Sequence, residues 1–294
     1  MNHISVVDAI KFGFDKAAKK FFFFIGTFVV AGFVWIGCLL LSGLAAAPFF
    51  IPAKKIIKQI IVLFKMPSVG MEFKRALMVV MMQLSELAEK SPYILVLAIV
   101  GILVFIALVW FFSIMISLGM VKIFMDVHDK GHSSLSNLFV RPIYVFRGFV
   151  VSILYFFILS APMMLVGLAY YVGIGLWLIV LLAIPAVVFE VYILLKLFYS
   201  NYFVIDKGLG AVASIKSSWR LRGAASKLLL FWMLLVVFVL AATVPAYLLG
   251  FLNTNMPHAI WTILLVVYNL ATRYFLSIVI FMGYIYLYRR LSSR

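Results

Sequence analysis

Six long, predominantly apolar stretches constrain this chain more than any other feature. They run from Phe21 to about Phe50, Tyr93 to about Met125, Gly148 to about Tyr170, Gly175 to about Tyr202, Ala224 to about Leu252 and His258 to about Tyr288. Each exceeds the roughly 18 residues at which an apolar run becomes a membrane-helix candidate. In lipid a backbone must satisfy its own hydrogen bonds, so such runs fold as helices. The expected fold is therefore all-α: a polytopic bundle of about six transmembrane helices, with a short amphipathic helix before each hairpin. Composition agrees, since 67% of the 294 residues are hydrophobic and only 12% are charged, against about 25% charged in a soluble domain.

The charge that remains is one-sided, with 25 Lys and Arg against nine Asp and Glu. In a soluble chain this would point to nucleic acid, but no base-reading module is present. The basic residues sit beside the apolar runs, which points instead to the anionic phospholipids of an inner membrane face. With a cytoplasmic N-terminus, 17 of the 25 fall inside, seven lie outside within residues 51–92, and Arg273 lies within the sixth span. Treating the first run as re-entrant reverses the balance to 11 inside and 13 outside, which argues against it. The seven outer basic residues are a cost of the preferred topology.

Residues 5–20 place Ile10, Phe14, Ala17 and Phe21 on one helical face and Lys11, Asp15 and Lys19 on the other. This predicts a surface-lying helix whose lysines reach toward headgroups; Phe12 breaks the pattern. The apolar run that follows is too long for a signal peptide's core of about 7–15 residues and reads as a retained span. Gly26, Gly32, Gly37 and Gly43 could allow close helix approach there. Pro48 and Pro52 mark the exit from this span, and Pro162, Pro185 and Pro245 are expected kinks in later ones. Residues 53–90 form an insertion. Ile56, Ile57, Ile60, Ile61 and Phe64 suggest one amphipathic helix, and Phe73, Leu77, Val80, Leu84 and Leu87 a second, lying on the surface, capping an opening or docking a partner. The lone cysteine, Cys38, reads as a small buried apolar residue.

A repeat is visible. Asp129-Lys130-Gly131 and Asp206-Lys207-Gly208 lie 77 positions apart. Each precedes an amphipathic segment, an Arg-Gly pair (Arg147-Gly148 and Arg222-Gly223) and two spans. The first amphipathic segment carries Leu135, Leu138, Phe139 and Phe146 on its apolar face, with Pro142 a kink or a new start. The second carries Val212, Ile215 and Trp219 opposite Ser214, Ser217 and Ser218. The organisation expected is one membrane domain over residues 1–294 built of three units: 1–125 with the 53–90 insertion, 126–205 and 206–294.

Two charges fall inside spans: Glu190 and Arg273. Each costs at least about 2.5 kcal/mol at a helix centre on insertion scales, so a buried ion pair or a polar intramembrane site is expected. Asn269 and Ser277 lie one turn either side of Arg273. Enzyme signatures are missing: no Walker loop, no GxSxG and no HExxH. His128 and His132 are four apart, but Asp126 or Asp129 beside them makes only a weak metal site, and no cofactor is expected.

The stretch FVIDKGLGAVASIKSSWRLRG resembles a pattern in bacterial multi-pass proteins related to the membrane domain of glycerophosphodiester phosphodiesterases, and in neighbouring families without a defined role. There a span ends in an acidic turn, followed by an "AlxxSWxLxxG"-like amphipathic helix. The matching positions are Asp206, Gly210, Ala213, Ser218, Trp219 and Gly223. The phosphodiesterase barrel that accompanies some such domains is absent, so the resemblance implies no hydrolysis. It implies a multi-pass protein of the bacterial cytoplasmic membrane, and the charge count over six spans places both termini inside. Two functions fit: non-enzymatic organisation of lipid, of a membrane-protein partner or of further copies of the chain, and transport of a small molecule or lipid through a site at Glu190, Arg273 and Asn269; an intramembrane enzyme ranks third.

Overall fold

A computed structural model describes residues 5–52, 54, 58, 71–255 and 259–293. Among them the chain forms nine α-helices and one short 3-10 turn. They are α1 (Val6–Phe50), α2 (Met71–Lys90), α3 (Pro92–Lys130), α4 (Pro142–Tyr171), α5 (Leu176–Leu197), α6 (Ser200–Lys207), α7 (Ala211–Arg220), α8 (Ala224–Asn255) and α9 (Ala259–Ser292). Six stretches are long and apolar enough to cross a membrane, with mean hydropathy between 1.9 and 3.2 in their most apolar windows. The protein is an all-α polytopic membrane bundle.

Helix α1 joins the amphipathic segment and the first span into 45 residues, but Lys20 leaves helical geometry at φ −123° and ψ 20°. That break falls where the charged pattern gives way to Phe21–Phe24. Pro142 starts α4 in its first turn, where the missing N–H costs nothing. Pro48, Pro162, Pro185 and Pro245 lie within continuous helices. The first helix expected in the insertion, from Ile56 to Phe64, lies outside the described residues, as does the start of the sixth span at His258. The second insertion helix is α2; Val80 is buried on it, while Leu77, Met78, Met81 and Met82 are exposed.

The described residues divide into two compact units. In the unit comprising Met1–Ala31 and Ile114–Arg294, each long helix touches the next in chain order, and the last returns to the first. The ring of Phe24 stacks on Phe124 with centroids 4.6 Å apart, joining α1 to α3. A Cβ on Gly148 would lie 2.7 Å from Leu118, so glycine lets α4 approach α3. Helix α4 packs on α5, α5 on α8 and α8 on α9. Gly283 leaves room for the Phe231 ring between α8 and α9, and a Cβ on Gly13 would lie 2.6 Å from the Val279 carbonyl, where α9 meets α1. Phe124 also stacks on Phe281 at 4.9 Å.

The core of this unit is concentrated in one part of each helix. Its large, fully buried side chains include Phe24, Leu118, Phe124, Leu197, Tyr199, Phe231, Met282 and Tyr288. Farther along the same helices the apolar side chains are exposed, among them Phe157, Leu165, Leu181, Val237, Leu248 and Val267. Water would not tolerate that much exposed apolar surface, whereas a bilayer covers it.

The second unit, Gly32–Ser113, holds the later part of α1, α2 and the earlier part of α3. Here Gly101 of α3 is the close-approach glycine: a Cβ on it would lie 2.7 Å from Phe49. Trp35 donates its indole N–H to Ser113 at 3.3 Å. A Cβ on Gly26, Gly32, Gly37 or Gly43 would meet nothing within 4 Å. The tight glycine contacts are thus at Gly13, Gly101, Gly119, Gly148 and Gly283, away from the run of glycines in the first span. Cys38 is buried.

Candidate functional site

The two Asp-Lys-Gly turns close their helices in the same way. Gly131 and Gly208 take φ of +78° and +61°, ending α3 and α6 respectively. This left-handed geometry is cheap only for glycine. Each turn leaves an aspartate one residue inside the helix end, and Arg289 near the end of α9 takes both. Its Nε donates to Asp129 Oδ1 at 3.1 Å and its Nη2 to Asp129 Oδ2. Its Nη1 donates to Asp206 Oδ1 at 2.6 Å. The guanidinium fork therefore clasps one carboxylate side-on and the other end-on, which a lysine ammonium could not reproduce.

Other groups fix the clasp. The Tyr288 hydroxyl donates to Asp206 Oδ2 at 2.8 Å. His128 Nδ1 lies 2.8 Å from Asp129 Oδ1. The His128 ring packs 5.0 Å from Phe12, the residue that broke the amphipathic pattern and that also lies 5.3 Å from Tyr286. Asp126 accepts from Lys130 at 2.8 Å and from Asn137 at 2.9 Å. Arg147 donates to the Gly208 carbonyl, so the arginine that follows the first Asp-Lys-Gly turn holds the second turn. The side chains of Asp206 and Arg289 are 16% and 26% exposed and that of Asp129 is 37%. The clasp is thus half-sheltered and sits directly on the tyrosine-rich core, where Tyr199, Tyr202 and Phe203 surround the Tyr288 ring at 5.2–5.5 Å.

The Arg-Gly pairs do not correspond in the same way. Gly148 is helical and packs against Leu118, whereas Gly223 takes φ +73° in the turn between α7 and α8, and Arg222 beside it is exposed. The first glycine serves helix approach and the second serves chain reversal.

The segments before the hairpins present their apolar side chains outward. On α7, Ser214 and Ser218 are fully buried, while Val212 is 70% and Trp219 44% exposed. Ser218 donates to the Lys196 carbonyl at 2.8 Å, and the Trp219 ring meets Tyr192 edge-on at 6.2 Å. The segment after the first turn shares only the outward apolar side chains, since its Ser134 and Ser136 are exposed. Leu138 is buried over Gly119, where its backbone leaves no room for a Cβ, while Phe139 and Phe146 are exposed.

The intramembrane candidates stay apart. Glu190 is half-buried on α5 and Arg273 is exposed on α9. No ion pair joins them among the described residues. Asn269 donates to the Leu265 carbonyl at 2.9 Å and Ser277 to the Arg273 carbonyl at 2.8 Å. Both polar side chains thus serve their own helix.

Among the described residues no group of three or more His, Cys, Asp or Glu is placed to hold a metal. His132 Nδ1 lies 3.1 Å from the Lys130 carbonyl, away from the His128–Asp129 pair. Compared with protein-family profiles, curated proteins and solved structures, the chain matches none.

Sequence reasoning found both aspartates but missed Arg289, which entered only among the 17 basic residues counted inside. One signal was available: two acidic turns in a chain with only nine acidic residues imply a cation shared between them, since a half-buried carboxylate requires a partner.

Proposed function

We propose that the chain is a non-enzymatic, multi-pass protein of the bacterial cytoplasmic membrane, with both termini and the Arg289 clasp at the cytoplasmic face, that gathers anionic phospholipid around its inner rim. The observation that carries this reading is the outward apolar face of α7. Val212 and Trp219 lie on its exposed side beside exposed Lys216, Arg220 and Arg222, while Ser218 ties the opposite side to the Lys196 carbonyl. An apolar stripe flanked by basic side chains is the composition that seats a helix among acyl chains and anionic headgroups. Phe139 and Phe146 repeat the outward apolar presentation one unit earlier, near exposed Arg141. The resemblance of residues 203–223 to bacterial multi-pass proteins related to the glycerophosphodiester phosphodiesterase membrane domain is compatible with the same reading. A membrane-protein partner or a second copy would use the same rim.

The test is the lipid that leaves the membrane with the protein. Extraction in polymer nanodiscs should carry at least twofold more phosphatidylglycerol than the bulk membrane contains. The triple variant K216A/R220A/R222A should bring the ratio back to that of the bulk. An unchanged ratio in the variant would refute the proposal.

Transport is the second reading, and one specific observation favours it: Glu190 and Arg273 stand within apolar helices without each other as partners. Unpaired charges in a bilayer mark solute or proton pathways. Proteoliposomes showing a proton or solute flux that E190Q abolishes would establish this reading in place of the first.

A further inference from the structure

Within the Gly32–Ser113 unit, the later part of α1 and the earlier part of α3 leave a trough between them of about 940 Å³. That is near the top of the range of about 300–1,000 Å³ usual for ligand sites. Gly43 and Ala47 line it from α1, and Ile102 and Phe105 from α3. A Cβ on Gly43 would meet nothing within 4 Å, so this glycine opens the trough instead of bringing helices together. The approach that holds the two helices in contact is made instead at Gly101 against Phe49. Lys54 and Lys58 also line the trough; both are exposed, and neither joins an ion pair among the described residues.

We propose that this trough is a binding site for an anionic phospholipid, with an acyl chain along Gly43 and Ala47 and the phosphate between Lys54 and Lys58. The apolar walls select hydrocarbon, which is what a bilayer supplies between two of its helices. The two ammonium groups select the headgroup, since neighbouring cations attract an anionic lipid electrostatically. The site also accounts for part of the basic excess in residues 51–92, which runs against the positive-inside pattern. It uses residues separate from the basic rim of α7, so the two readings stand or fall independently.

Native mass spectrometry of the full chain in detergent tests it, with phosphatidylglycerol and phosphatidylcholine of identical acyl chains added in equal amounts. The phosphatidylglycerol adduct should survive at least fivefold better. Measured on the K216A/R220A/R222A background, which removes lipid held by the rim, K54A/K58A should erase that preference, and A47F, which fills the trough, should remove both adducts. K216A/R220A/R222A should leave this adduct unchanged, which separates it from the rim. If A47F does not elute as a monodisperse species, K54A/K58A decides alone. Equal retention of the two lipids in the wild type, a preference that survives K54A/K58A, or a dimer formed in place of lipid binding would overturn the proposal.

Discussion

Arg289 and Arg290 are neighbours of identical charge with different work. Arg289 bridges Asp129 and Asp206, whereas Arg290 is exposed and stands 5.5 Å from the Tyr286 ring. Arg289→Ala would leave two carboxylates facing each other. Fully buried pairs lose about 3–5 kcal/mol when one partner goes, and exposure of Asp129 reduces this, so about 2 kcal/mol is expected. Thermal unfolding in detergent should show a clear loss for Arg289→Ala, a smaller one for Arg289→Lys, and no more than a few tenths of a kcal/mol for Arg290→Ala. The tyrosines give a second contrast. Tyr288 donates to Asp206, while the buried Tyr199 hydroxyl has no hydrogen-bond partner among the described residues. A buried polar group without a partner costs free energy, and removing it is neutral or favourable. Tyr288→Phe is therefore expected to destabilise by about 1–2 kcal/mol and Tyr199→Phe to be neutral or stabilising, both read by the same melts. At this scale the sequence showed which carboxylates mattered, because Asp129 and Asp206 recur in a repeat. It hid their partner, because Arg289 lies 83 positions beyond Asp206 and only the return of the last helix brings them together.

Among the elements, the hydrophobic runs and the turn glycines were legible, since a span is a local property of about 20 residues and a left-handed turn is a property of one. The break at Lys20 and the start at Pro142 were legible for the same reason. Which glycines are structural was not. Gly26, Gly32, Gly37 and Gly43 form a regular series yet meet open space, whereas Gly119 and Gly283 lie under Leu138 and Phe231. Close approach depends on the neighbouring helix, which periodicity within one helix does not contain. Gly119→Val should push the Leu138 turn away and cost about 1–3 kcal/mol as overpacking, whereas Gly37→Ala should leave the melting temperature unchanged or slightly raised. The serine face of α7 shows the same limit. A hydrophobicity pattern alone assigns Val212 and Trp219 to the inside of a soluble protein, but in a membrane protein the apolar face can be the outer one. Ser218→Leu should therefore disturb folding more than Trp219→Ser, by circular dichroism melts of the two variants.

For the whole molecule, the account rests on one arrangement: two repeated acidic turns and the end of the last helix meet at a single face, joined by one guanidinium, while the connection near Tyr171 lies at the other. The most direct measurement is cysteine accessibility in intact cells on a Cys38→Ala background, with single cysteines at Lys130, Lys216, Ser293 and Tyr171, all exposed. A membrane-impermeant maleimide should modify Tyr171→Cys from outside and leave Lys130→Cys, Lys216→Cys and Ser293→Cys unmodified until the membrane is opened. If Lys130→Cys and Lys216→Cys label from opposite sides, the two turns cannot share Arg289 and the account is wrong.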